Sequence, residues 1–191
     1  DGKTGKALGK LKYSGGPGFG ELMLAPDGTL YAMWYERRSG LFTSVEGARE
    51  DLVHFDSDGQ VISVSQGVIS SITENLTLNN YLAIDGRGTL FIAPTSEAAI
   101  FKFDSKGKFI TRLGSSGEGE SQFKNVGVLA VDGQGRIYLE ENSDISVLKP
   151  DGSRLATITT AGAPRCLFFD NSGALWVTSD YAITQYQITE K

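Results

Sequence analysis

One pattern recurs along the chain, as LAPDGTLYAM at 24–33, AIDGRGTLFI at 83–92, AVDGQGRIYL at 130–139 and FFDNSGALWV at 168–177. Each copy carries an apolar run through an Asp/Asn/Gly turn into an alternating run. The shared glycines are Gly28, Gly88, Gly135 and Gly173. Asp or Asn hydrogen-bonds the backbone of such a turn, and glycine accepts the positive φ that a short hairpin loop needs. A second turn follows the first three copies, in HFDSDGQVISV at 54–64, KFDSKGKFITRL at 102–113 and LKPDGSRLATI at 148–158. Each unit therefore predicts four short strands, and no long helical periodicity competes. The first unit is stretched by SGLFTSVEGARED at 39–51.

Four-stranded repeats joined by hairpin turns predict an all-β chain folded as a β-propeller of about four blades. The blades fall roughly at 17–64, 79–113, 123–158 and 164–189 within a single domain covering 1–191. The last repeat stops where its second turn is due, whereas GKALGKLKY at 5–13 reads as a fourth strand without a blade. Segment 1–13 is thus expected to complete the last blade and bury two sheet edges. The other arrangement is a segment of a larger, six-bladed propeller. The chain begins at Asp1 without methionine, which suggests processing or excision.

The stretch GEGESQFKNVGVLAVDGQGRIYLEENSDISVLKPDGSRLATI at 117–158 resembles an NHL-type repeat. It shares a Gly/Phe lead-in, a short apolar strand, Asp-x-x-Gly, an Ile-Tyr strand and a strand carrying the next turn. The likeness is clearest over 114–158 and extends more weakly along the chain. It departs where the family has Ala-Asp after the second strand, replaced here by Glu140-Glu141 and, in another repeat, Pro94. The family's Arg before the third strand is missing. The resemblance implies a fold and leaves activity open, because function resides in sites grafted onto folds.

Composition narrows the partners. A formal charge of −5, with 18 basic residues spread along the chain, gives no footprint for nucleic acid. No apolar run reaches the ~20 residues that span a bilayer, so membrane insertion is not expected. One cysteine forms no internal disulfide and assigns no compartment, although an extracellular or periplasmic home is favoured.

The motifs offer little chemistry. DSDG at 56–59 lacks the further oxygen ligands of a calcium loop, since Val61, Ile62 and Val64 follow it, and reads as a turn. His54, the only histidine, reads as a solvent-facing strand residue with no marked zinc or relay partners. Cys166 reads as a small core hydrophobe. No metal site and no cofactor are expected.

Candidate binding residues fall on the connections opposite the turns. They are Trp34, Tyr35, Arg37 and Arg38, then Glu140, Glu141 and Asn142, then Asp180 and Tyr181, with Arg165 before a first strand. Aromatics beside arginines suit interface hot spots. The leading expectation is a non-enzymatic module presenting this face to a protein, peptide or glycan. One alternative is a metal-dependent hydrolase resembling the sugar-lactonase propellers, with Glu140, Glu141, Asn142 and Asp180 as the candidate donors. That family's Pro-Asn-Gly signature is not found here. The other alternative is a structural spacer or assembly unit of a larger protein.

Overall fold

Seven turns of one geometry organise the chain, in a computed structural model that describes residues 3, 5, 7, 9–11, 13, 18–36 and 49–189. They span 25–29, 56–60, 85–89, 104–108, 132–136, 149–153 and 170–174. In each, the first residue's amide donates to the fifth residue's carbonyl, and the glycine amide at the fourth position returns to the first carbonyl. That glycine has φ between +77° and +88°, a conformation that a Cβ disfavours. In five turns an aspartate opens the sequence, and its Oδ1 accepts two amides. Asp85 takes Arg87 and Thr89 at 2.9 and 2.8 Å, and Asp56, Asp104, Asp132 and Asp170 repeat the arrangement. In the Pro-Asp-Gly turns the aspartate moves two places on. Asp27 there holds the amide and hydroxyl of Thr29, and Asp151 those of Ser153. The aspartates, DSDG included, close hairpins.

The chain divides into two units, Asp1–Leu76 and Thr77–Lys191. The first contains one antiparallel sheet in the order β1 (Gly18–Leu24), β2 (Leu30–Tyr35), β3 (Glu50–Phe55) and β4 (Val61–Gln66). A single-turn helix α1 (Ser70–Thr73) follows, and Oε1 of Glu50 accepts the amides of Ile69 and Ser70 at 3.0 and 2.6 Å.

The second unit contains three antiparallel sheets. They are β5 (Asn80–Ile84), β6 (Leu90–Pro94), β7 (Ile100–Phe103) and β8 (Phe109–Leu113), then β11 (Leu129–Val131), β12 (Ile137–Glu141), β13 (Asp144–Leu148) and β14 (Arg154–Ile158), then β15 (Pro164–Phe169), β16 (Leu175–Ser179) and β17 (Ile183–Tyr186). A short parallel pair, β9 (Ser115–Ser116) and β10 (Gln122–Phe123), links the first two. Strand β11 lies beside β5 on one side and β15 on the other, so the first strands of successive blades adjoin.

Alternation along the strands fills both inter-blade layers. Leu129, Ile137 and Leu139 pack toward Ala83, Phe91 and Ile100, whereas Ala130, Tyr138, Ile145 and Val147 pack toward Leu167, Leu175 and Val177. A blade covered on both faces needs apolar residues on both, which is why β12 begins Ile-Tyr-Leu without a polar alternate.

Three expectations change. The last blade has three strands among the described residues, and residues 7, 9–11 and 13 are not in strands. Leu11 and Tyr13 instead pack on the core of the first sheet, with Ala32, Trp34, Val53 and Phe55, which accounts for their apolar character. Cys166 is exposed, because Leu167 and Phe169 occupy the covered face of β15 and the alternation turns Cys166 outward. His54 is half-buried, stacked on Tyr31 at 4.0 Å, with Nε2 at 2.8 Å from the Thr29 hydroxyl; burial lowers its pKa.

Tyr138 gives a test of this packing. Burial, then the charge of Asp132, push its phenol up to about 12 from 10.0, against an opposing effect of Arg136. A raised folded pKa means that the contribution is intact below pH 10 and is lost as pH rises through about 12. Alkaline denaturation of the wild type should steepen across that window, and Tyr138→Phe should remove the steepening. An unchanged profile in the variant would show that Tyr138 does not carry it.

Candidate functional site

The loop end of the second unit carries two polar groups, set apart by the alternation of one strand. Glu140 and Glu141 close β12 and, as neighbours on a strand, point to opposite faces of its sheet. Sequence reasoning put both at this end and left their orientations open.

Glu140 looks toward the last blade. Its Oε1 accepts the Ser143 amide at 3.1 Å, and its carboxylate lies against Gly127, where any Cβ would overlap it. Across from it, Arg165 on β15 makes a two-pronged pair with Asp180, Nε to Oδ1 at 2.9 Å and Nη2 to Oδ2 at 3.0 Å. That pair raises the arginine's pKa, with smaller contributions from Tyr81 and Glu140, and lowers that of Asp180. Tyr81, in β5, went unnoticed in the sequence because nothing local marks a strand aromatic as lying near an arginine of another blade. Both Arg165 and Asp180 are exposed, so water screens the pair and its worth lies in orienting the guanidinium. Tyr181 follows, 83% exposed.

Glu141 looks the other way, into an open cleft of about 390 Å³ lined by Glu118, Lys124, Asn142, Asp144 and Arg154 among others. Its carboxylate is 7% exposed. Oε1 accepts the Lys124 amide at 3.0 Å, and Oε2 accepts the Ser146 hydroxyl and Arg154 Nη2, both at 2.8 Å. Burial would raise its pKa, but these donors outweigh burial and hold it below the ordinary value. Lys124 pairs with Glu118 at 2.7 Å at the rim. Asn142 turns the chain at φ +53°, its amide donating to Asn125 Oδ1. Arg154 and Lys124 were missed, since their partner lies 13 and 17 residues away with no local signal.

Trp34 and Tyr35 end β2 in the first unit instead of lying on a loop. Trp34 is 1% exposed, with Tyr13 edge-on at 5.2 Å and the Arg49 guanidinium 5.7 Å from its ring. Tyr35 is buried, its ring filling the space that the missing Cβ of Gly20 leaves. Arg37 and Arg38 lie outside the described residues.

A metal does not fit this donor set. The carboxylate of Glu141 is taken up by Arg154 and Ser146, that of Asp180 by Arg165, and among the described residues no three His, Cys, Asp or Glu side chains converge. No helix among the described residues is long and apolar enough to cross a membrane.

No protein-family profile matches the chain, and no curated protein matches it by sequence. Solved structures do match. A gluconolactonase from Xanthomonas campestris is 21% identical, with TM-score 0.65, over 92% of this chain and 59% of that protein. A calcium-binding protein, regucalcin, from Agrobacterium tumefaciens is 15% identical, with TM-score 0.58, over 86% and 55%. The WD40 β-propeller domain of Doa1 is 13% identical, with TM-score 0.54, over 87% and 49%. The chain thus spans about half to three-fifths of each. The likeness reaches lactonase-type and WD40 propellers alike and does not single out the NHL type. With the blades described above, it establishes that the chain is an all-β protein of β-propeller fold.

Proposed function

We propose that the loop end of the second unit binds a small, neutral, hydroxyl-rich ester or lactone of the sugar class, which places the chain nearer the sugar-lactonase hydrolases than a non-enzymatic scaffold. The observation that carries this is the likeness to a gluconolactonase over 92% of the chain. The residues supply its chemistry. Arg165, oriented by Asp180, offers donors to a carbonyl oxygen, and the Glu140 carboxylate can accept from sugar hydroxyls. Two carboxylates outnumber one guanidinium here, so a ring-opened acid would be repelled where its lactone is held. Among the described residues no donor set fits lactonase-type turnover through a bound cation, so the role assigned here to Arg165 and Glu140 is to bind and orient the ligand.

Calorimetry with gluconolactone and with gluconate, together with a lactone-hydrolysis assay, tests the reading. Binding of the lactone over the acid is expected, and Arg165→Ala should weaken it by roughly tenfold, the loss of one charge-assisted contact. Equal affinity for both ligands, none for either, or an unaffected Arg165→Ala protein would overturn it. Hydrolysis would extend the reading to catalysis.

A second reading, capture of a protein, peptide or glycan, is favoured by the exposed Tyr181, which follows in sequence the Asp180 that pairs with Arg165. An aromatic next to an arginine is the usual make-up of an interface anchor. Under that reading the small-ligand experiment gives no heat at all.

A further inference from the structure

The first strands of the second unit carry unlike residues at one equivalent position. Five residues before each first-turn aspartate stand Asn80 on β5, Gly127 ahead of β11 and Arg165 on β15. In the last two blades this position is an extra residue in the strand pairing. Arg165 falls between the pairs Pro164–Ser179 and Cys166–Thr178, where the register shifts. Gly127 donates its amide to the Glu140 carbonyl at 3.0 Å, while the Glu140 amide donates to the Val128 carbonyl at 2.8 Å, so two residues face one there as well. A bulge of this kind re-aims the side chain that it carries, and on β15 it turns Arg165 to Asp180.

Gly127 has no side chain to aim, and the neighbouring strand supplies one. The Glu140 carboxylate fills the space of the missing Cβ: its Oε2 lies where that carbon would be, with Cδ at 3.0 Å and the Glu140 Cβ at 3.3 Å from it. Oε1 accepts the Ser143 amide at 3.1 Å, which holds the group there. The charge so placed acts on Arg165 of the next blade. Unlike the turn glycines, Gly127 does not have a positive φ, so its backbone could be that of any residue. What the glycine contributes is room for the carboxylate.

We propose that Gly127 is a specificity-determining position: by carrying no side chain it admits the Glu140 carboxylate to the first-strand position equivalent to Arg165, where the carboxylate selects a ligand that bears hydroxyl groups. This rests on the reading that the loop end binds a hydroxyl-rich lactone. Arg165 donates to the carbonyl, a contact that any lactone can make, whereas Glu140 has something to accept only from a hydroxylated one. A site that hydrogen-bonds a hydroxyl discriminates against the analogue lacking it. A side chain at 127 would remove that discrimination and leave the carbonyl contact in place.

Calorimetry with gluconolactone and with δ-valerolactone, the same ring without hydroxyls, separates the two contacts. Gly127→Ala should lose roughly tenfold in affinity for gluconolactone, the loss of one hydrogen bond to a charged group, and keep its affinity for δ-valerolactone. Equal losses on both ligands, or no loss on gluconolactone, would overturn the proposal. Glu140→Ala, which needs no new space, should show the same ligand-selective loss. Combined with Gly127→Ala it should cost nothing further, because the carboxylate is already displaced; additive losses would give Gly127 a separate role and count against the proposal. The Ser143 amide resonance, read by NMR without ligand, should move in Gly127→Ala toward its position in Glu140→Ala. A wild type that binds neither lactone refutes the reading of the site, whereas intact lactone binding with an unmoved Ser143 amide refutes the role of Gly127 alone.

Discussion

Glu141→Ala is expected to cost the second unit about 3 kcal/mol of stability, the lower end of what breaking a buried ion pair costs. The carboxylate satisfies three donors from three places: the Lys124 amide ahead of the blade, Ser146 on β13 and Arg154 on β14. Alanine removes the acceptor oxygens of all three donors at once. The Lys124 amide and Ser146 hydroxyl lose their partner, and the Arg154 guanidinium, 30% exposed, keeps only Ser146 and the Gln122 carbonyl. Partial exposure of Arg154 lets water recover part of the loss, which holds the figure near the low end. Urea denaturation measures it, and a midpoint unchanged from wild type would show that the cluster contributes nothing. The folded pKa of Glu141 is depressed, so its contribution is present above the ordinary carboxylate value of 4.5 and is lost as pH falls through the lower folded value. The difference between wild type and variant should therefore shrink on acidification below pH 4.5.

How far this cluster could be read from sequence depends on which interactions are local. The hairpins were legible because Asp and Gly act within five residues, and a positive φ at Gly28, Gly88, Gly135 or Gly173 is a property of the turn alone. Glu140 and Glu141 were legible as the far end of an alternating run, although both lie within β12 and not on the connection after it. Their partners were not legible, since Arg154 reaches Glu141 across two hairpins and Arg165 belongs to another blade. The misreadings have the same origin. ALGKLKY alternates like a strand, yet its described residues are not in one, and Leu11 and Tyr13 pack on the core of the first blade. Trp34 and Tyr35 stand just before a long insertion and read as loop residues, although strand pairing continues through Tyr35 to Glu50. Cys166 differs from its core neighbours only by the parity of its position on β15. Which face is covered depends on what lies beyond the sheet, and a local pattern does not contain that.

Gly114→Ala should be about as damaging, at roughly 3 kcal/mol, through two effects that can be separated. Gly114 follows β8 with φ +82°, where any Cβ crowds its own carbonyl at a cost of about 1–2 kcal/mol. Its second role is to admit Phe123, whose ring lies where an added Cβ would go, closer than any real contact. Phe123 is fully buried between the first two blades of the second unit, with Phe91, Ile100, Leu113 and Leu139 around it. A ring so enclosed cannot swing away, so the methyl must move the connection carrying β9 and β10. Gly135→Ala is the control. It has nearly the same φ, +80°, but its Cβ would meet only the Arg87 side-chain tip and Pro150, at 3.5 and 3.6 Å. Gly135→Ala should therefore show the backbone cost alone, and the excess for Gly114→Ala should be the Phe123 clash. Equal losses in the two variants would remove the clash from the account. Combining Gly114→Ala with Phe123→Leu completes the test, since a smaller side chain at 123 should make the double variant lose less than the two single losses added.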